Sequence, residues 1–182
     1  NSDELDWHQG YVELTPLSDG RNRLALRFGR QEASLGAGRL VDLRDGPNMR
    51  RSFDSGSLNF SRGSLNITAW FGKEVGLASG AFDNSFDLFD DKSASPKVWG
   101  LFSQFKFLKI KNFDDANELY YIGYQSNFSA FNDVMGKETR HSIGLRRFGT
   151  LYERWKYNTE IIYQFGDIDG SSIRAFSIET DW

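Results

Sequence analysis

The sequence predicts an all-β chain, an antiparallel up-and-down transmembrane β-barrel with about nine strands present, and three observations predict it. Apolar and polar residues alternate with period two in about nine segments, while helical periodicity is nearly missing. These segments run to about 10–13 residues, beyond the mode of about 5–6 in soluble sheets and enough for the roughly 9–11 that cross a bilayer with tilt. The connections between them tend to alternate short and long, the rhythm left by short periplasmic turns and long outer loops.

Composition narrows the alternatives. The 182 residues include 16 Phe, 7 Tyr and 5 Trp beside 3 Pro and 2 Met, and aromatic residues favour strands. Eighteen Gly supply turns and bulges, and the absence of Cys removes disulfides and thiolate chemistry. Mean hydropathy is negative, at -0.53, and no apolar run approaches the roughly 20 residues of a membrane-spanning helix. A barrel strand spends only alternate residues on lipid, so a low average hydropathy is compatible with one. The formal charge of -3 implies no global attraction to nucleic acid, and any basic site must come from local sorting.

In chain order the segments fall at residues 5–15, 23–35, 52–62, 65–75, 97–109, 117–127, 139–149, 155–166 and 172–182. In the fourth, Leu65, Ile67, Ala69 and Phe71 share an apolar face. In the sixth, Tyr120, Ile122 and Tyr124 read as the apolar face against Tyr121, Gly123 and Gln125. The eighth is the clearest, with Tyr157, Thr159, Ile161, Tyr163 and Phe165 on one side and Lys156, Asn158, Glu160 and Gln164 on the other. The connections at 36–51 and 76–96 are long and 128–138 is expected to be longer than its neighbours. The compact Asp-Gly turn at 167–171 breaks the rhythm. Bacterial single-chain barrels have even strand counts. Residues 1–182 are therefore expected to be one barrel segment, an incomplete part of a longer domain.

A run from Phe28-Gly-Arg-Gln-Glu through Leu35-Gly-Ala-Gly-Arg-Leu-Val-Asp to Arg44-Asp-Gly-Pro-Asn-Met-Arg-Arg-Ser-Phe-Asp54 resembles the alginate export family of outer-membrane porins. The likeness continues in Val98-Trp-Gly, Leu119-Tyr-Tyr-Ile-Gly-Tyr124, Gly136-Lys-Glu-Thr-Arg-His-Ser-Ile-Gly144 and Tyr157-Asn-Thr-Glu-Ile-Ile-Tyr-Gln-Phe-Gly166. The resemblance implies a large barrel in the outer membrane. It also implies a lumen rich in basic residues that passes a polyuronate or another anion, and no enzymatic activity. It calls for no cofactor. Its partners are the lipid bilayer and an anionic polysaccharide or small anion, with room for periplasmic secretion partners and none for nucleic acid.

A passive anion path needs fixed positive charge in a narrow lumen, and Arg suits carboxylates because its planar fork offers paired donors. Arg140 and Arg146 share a parity with Ser142 and Gly144, so both are expected inward, with Lys156, Glu160 and Gln164 inward on the next strand. Arg27 and Arg30 have opposite parity. Both face water only if the strand bulges, with Gly29 the natural point, or if Arg30 lies beyond the bilayer edge. Arg39, Arg44, Arg50 and Arg51 stand in the following loop beside Asp42, Asp45 and Asp54. This loop either folds inward to narrow the pore or pairs its own charges on a solvated surface.

Other chemistry has little material. The Asp83, Asp87, Asp90 and Asp91 cluster lacks the spacing of an EF-hand, and a plain acidic loop explains it. His8 and His141 are the only histidines, too few for a His-based metal site. Trp99 and Trp155 lie near strand ends, as interfacial girdle residues do, while Trp70 shares a face with Asn66 and Thr68 and is a lumen candidate. Two rival readings remain. One is a soluble carbohydrate-binding β-sandwich, and the other is a glycosidase built on a pair such as Glu160 and Glu179.

Overall fold

The computed structural model describes residues 8–34, 38–41, 51–76, 86–88, 95–106, 113–131, 133–152 and 154–182. They form nine strands: β1 (Gly10–Ser18), β2 (Asn22–Gln31), β3 (Phe53–Arg62), β4 (Leu65–Glu74), β5 (Lys97–Phe105), β6 (Phe113–Phe131), β7 (Val134–Leu151), β8 (Trp155–Ile168) and β9 (Ser171–Asp181). All nine lie in one antiparallel sheet in sequence order, the up-and-down arrangement that alternation and turn spacing predicted. The sheet is not closed, and β1 and β9 are its two edges. Pro16, which has no N–H to donate, falls in the register shift between Leu14 and Leu17 on edge strand β1, where a ladder tolerates it.

The expected longer connection at 128–138 is instead strand. Strands β6 and β7 reach 19 and 18 residues and close around Asp133, whose φ is 66°. A shift between Ser126 and Ser129 makes this possible. Ser126 Oγ donates to the Phe128 carbonyl at 2.8 Å and accepts from its N–H at 3.2 Å, which absorbs the one extra residue of β6 before pairing resumes at Ser129 and Gly136. Ser129 and Gly136, which read locally as loop residues, are therefore a paired position just beyond a bulge.

Continuous register sorts the side chains into two faces. Passing from β1 to β9, the successive partners Leu14, Leu26, Leu58, Ala69, Leu101, Tyr121, Ile143, Tyr163 and Phe176 make one apolar row. The next row, two residues along each strand, runs through Leu24, Phe60, Ile67, Ser103, Leu119, Leu145, Ile161 and Ile178, apolar at every place but Ser103. This is the exposed face: Ile143 is 46 % exposed and Leu101 51 %, whereas Ser142 and Glu160 on the opposite face are 3 % and 2 % exposed. A soluble sandwich would show the reverse, with apolar residues shielded and polar residues outside.

Polar rows bound the apolar band on both sides. Arg30, Asp54, Lys73, Lys97, Gln125, Thr139 and Asp167 are successive partners along one boundary. Asn22 with Arg62, and then Asn117, Arg147, Thr159 and Thr180, mark the other. Asn22 and Arg30 are eight residues apart, about 27 Å along an antiparallel strand. The apolar band of transmembrane barrels is about 25 Å tall.

Register also corrects one assignment of faces. Tyr120, Ile122 and Tyr124, read from the sequence as the apolar side of their strand, lie on the inner face, while Leu119, Tyr121 and Gly123 lie on the exposed one. Both faces of β6 carry bulky residues, so alternation within the strand could not decide; pairing of Tyr121 with Leu101 and Ile143 does.

Two predictions follow from this architecture. Leu101→Arg places a guanidinium in the middle of the apolar band and should lower the urea midpoint of the protein folded into lipid vesicles by the equivalent of roughly 2–4 kcal/mol. A change within about 0.5 kcal/mol, as for an ordinary exposed position, would instead mean that water covers this face. The second concerns the β1–β2 turn, where the Asp19 carboxylate accepts from Asn22 Nδ2 at 2.9 Å, Asn22 N at 2.6 Å and Arg21 N at 2.9 Å. Those donors, the Asn22 side chain first, hold its pKa below the usual value. A depressed folded-state pKa gives stability that is present above the unfolded value of about 3.9 and is lost as pH falls through the folded one. Exchange protection of the Arg21 and Asn22 amides should therefore drop in acid, and Asp19→Ala should show the lower protection already at neutral pH.

Candidate functional site

The inner face combines an apolar patch with charged ladders. Phe53, Trp70, Val98, Phe102, Tyr120, Ile122 and Ile162 are buried together, with Phe53 edge-on to Trp70 at 5.3 Å and Phe102 stacked on Tyr120 at 5.5 Å. Trp70 thus lies on the inner face that it shares with Asn66 and Thr68. Gly144 makes room for the Tyr120 ring, since a Cβ there would stand 2.0 Å from it. On the outer face Gly123 does the same for Trp99, at 2.1 Å. The Tyr120 hydroxyl crosses to β8 and donates to Glu160 at 2.8 Å.

Residues 38–41, part of the long β2–β3 connection, lie over this patch. Val41 is buried in it and Leu40 packs against it. A cavity of about 250 Å³ remains beneath the segment, lined in part by Leu40, Val41, Tyr124, Arg140 and Gln164. Arg39 extends from the segment to the far side of the sheet, where it pairs with Glu160 and Glu179 and lies 3.7 Å from Asp181. Apolar packing seats the segment, and ion pairing fixes its reach.

The other inner-face arginines are likewise held by carboxylates. Arg27 donates to Glu13 Oε2 through Nε at 3.0 Å and Nη2 at 2.7 Å, while Arg23 takes Glu13 Oε1 at 2.8 Å. Arg27 also lies over the Tyr11 ring at 4.4 Å. Arg146 donates to Asn158 at 2.7 Å and Glu118 at 3.3 Å and sits over Phe148. Arg140 stands 3.4 Å from Glu138 and over the Tyr124 ring at 5.1 Å. Arg51 meets Glu74 at 3.0 Å. Gln164 donates to Ser142 at 3.0 Å. Lys156 is exposed on the same face and shares with Arg146 and Asn158 an open cavity of about 440 Å³.

Arg30 is on the other side of the wall. The ladder between β2 and β3 has no register shift at Gly29, so Arg30 alternates with Arg27 and joins the polar boundary row. It donates to Asp54 through Nε at 2.7 Å and Nη2 at 3.1 Å. Residues 86–88 cover this pair: the Asp87 N–H donates to Asp54 at 2.8 Å, its carboxylate lies 3.5 Å from Lys73, and Phe86 contacts Phe28 at 5.3 Å. The second of the two sequence alternatives for Arg30, a place past the edge of the apolar band, matches this geometry. Arg44, Arg50, Asp42 and Asp45 lie outside the described residues, as do Asp83, Asp90 and Asp91 in the acidic loop.

Arg27, Arg39, Arg51, Arg140, Arg146, Lys156, Glu160 and Gln164 are therefore brought to one face or its cover, and Arg30 is not. Sequence reasoning missed their acidic partners Glu13, Glu74, Glu118, Glu138, Glu179 as a counter-charge, and Asp181. Each sits at the parity of an inward residue, but only cross-strand register pairs it with a particular arginine. Glu179, named as half of a carboxylate pair with Glu160, is its direct β9 partner, and Arg39 is bound between the two.

No curated protein and no solved structure gives a significant match to the chain. A family model described as alginate export matches residues 1–182, the whole length. With the exposed apolar band, the buried charged face and a family match that leaves no residue out, the chain belongs to the alginate export family of outer-membrane β-barrel transport proteins.

Proposed function

We propose that this chain forms the wall of an outer-membrane channel that passes an anionic solute passively, an acidic polysaccharide such as alginate or a smaller organic anion, along an inner face set with arginines. One observation carries the reading: charged and hydroxyl side chains are shielded on the face where Leu40 and Val41 also pack, and the aliphatic side chains are exposed on the other. In this reading the outer face meets acyl chains: an outward Arg near the bilayer midplane costs roughly 2–4 kcal/mol, and among the described residues none stands in the row from Leu14 to Phe176, with Arg174 one row nearer the polar boundary, opposite Phe165.

Residues 38–41 narrow the path, and Arg140, Arg146 and Lys156 line it on the β7 and β8 side. Each guanidinium is held in place by a resident acid or amide, and a carboxylate on the solute competes for the same donors. Such a path stays open to passage because a passing acid replaces an equivalent interaction and gains little, and conduction requires binding weak enough to leave.

Arg140→Ala combined with Arg146→Ala should reduce chloride-over-potassium preference of the outer-membrane protein in planar bilayers by about two- to fivefold, with conductance retained. Unchanged selectivity would remove these two residues from the path. Absence of conductance in the unsubstituted protein would overturn the channel itself.

A further inference from the structure

Charge on the inner face is unevenly distributed across the sheet. At the β1–β2 side one carboxylate, Glu13, serves two guanidiniums, Arg23 and Arg27. At the β8–β9 side the proportion is inverted: Glu160, Glu179 and Asp181 share one guanidinium, Arg39, which the chain brings across from the β2–β3 connection. Glu160 and Glu179 are direct register partners and Asp181 pairs with Asn158, so all three carboxylates face the same way within one turn of register. Glu160 is shielded, whereas the side chains of Glu179 and Asp181 are 50 % and 64 % exposed to whatever fills the space in front of them.

We infer that Arg39 determines ion preference, as the fixed counter-charge that keeps a three-carboxylate patch on β8 and β9 from turning the path toward cations. The inference rests on the channel reading above. Counted with Arg39 alone the three acids carry a formal charge of minus two; Arg146, the β7 register partner of Glu160, and Lys156, which shares a cavity with Asp181, offset part of it, and removing Arg39 makes the patch one charge more negative. Walls of low dielectric focus that field into the water they enclose, and rings of acidic side chains select cations. Leu40 and Val41 seat the segment on apolar residues independently of the ion pairs, so removing the guanidinium changes the charge while its apolar anchor remains.

The test uses the protein purified from outer membranes and reconstituted in planar bilayers under a potassium chloride gradient. Arg39→Ala should lower the chloride-to-potassium permeability ratio by about threefold or more, and Arg39→Lys should hold it near the unsubstituted value. Adding Glu179→Gln and Asp181→Asn to the Arg39→Ala background should restore the ratio. The same two β9 substitutions with Arg39 intact should raise it, which tests the inference even if the alanine variant does not fold. The sequence has no cysteine, so Arg39→Cys is addressable with charged thiosulfonates. A cationic reagent should restore the ratio and an anionic one should lower it further. A conducting protein whose ratio ignores all of these changes refutes the role of Arg39 and leaves the channel standing; an unsubstituted protein that does not conduct refutes the channel.

Discussion

Everything in this molecule depends on an unbroken backbone ladder. In hydrocarbon no water is present to satisfy an N–H or C=O, so each strand must bond its neighbours along the whole apolar band. Register is then fixed, because a slip of one residue would turn every side chain of a strand to the opposite face. The rows that run from Leu14 to Phe176 and from Leu24 to Ile178 are the product of eight and seven such pairings in succession. Irregularity is tolerated where the ladder is least demanding: at Pro16 on an edge, and at Ser126 beyond the last residue that β5 pairs.

The number, order and direction of strands were legible because period-two patterning and turn residues are local properties. So were the faces of β4 and β8, each with one mainly apolar side and one side that is polar apart from Trp70 and Ile162. The face of β6 was not, since Tyr120 and Tyr121, or Ile122 and Leu119, are equally apolar and only their partners on β5 and β7 distinguish them. The same limit applies to the charged residues. That Arg140, Arg146, Glu160 and Gln164 share a side could be read from parity. That Arg146 bonds Glu118, or that Arg39 crosses to β8, is a long-range fact that no spacing along the chain encodes. Arg30 marks the boundary case, since parity opposed it to Arg27 and only the uninterrupted β2–β3 register settled its side.

Pairing of this kind has an energetic logic. A shielded guanidinium or carboxylate without a partner is costly, and removing one member of a buried pair destabilises by about 3–5 kcal/mol because the other is stranded. The two sides of the wall resolve this differently. Outside, Arg30 and Asp54 form a closed knot that Asp87 covers. Inside, the ladders reach toward open space through Glu179, Asp181, Lys156 and Arg140, so their donors and acceptors remain accessible. Tyr120 links the two kinds of environment, with its ring in the apolar patch and its hydroxyl on Glu160.

The tall β6–β7 hairpin has a separate consequence. β5 pairs β6 no further than Gln125, and β8 pairs β7 no further than Glu138, so among the described residues the two strands beyond those points support each other, with Asp169 in contact at Gly136 and Lys137. A two-stranded ribbon alone in water is marginally stable. Its tip, with Phe128, Phe131 and Met135 exposed, can fray or be nicked without disturbing the lipid-facing wall below. That makes the tip the natural place to graft a foreign peptide for surface display or a fluorescent label, because proteolytic susceptibility and tolerance of insertion share one origin in a backbone that bears no load for its neighbours.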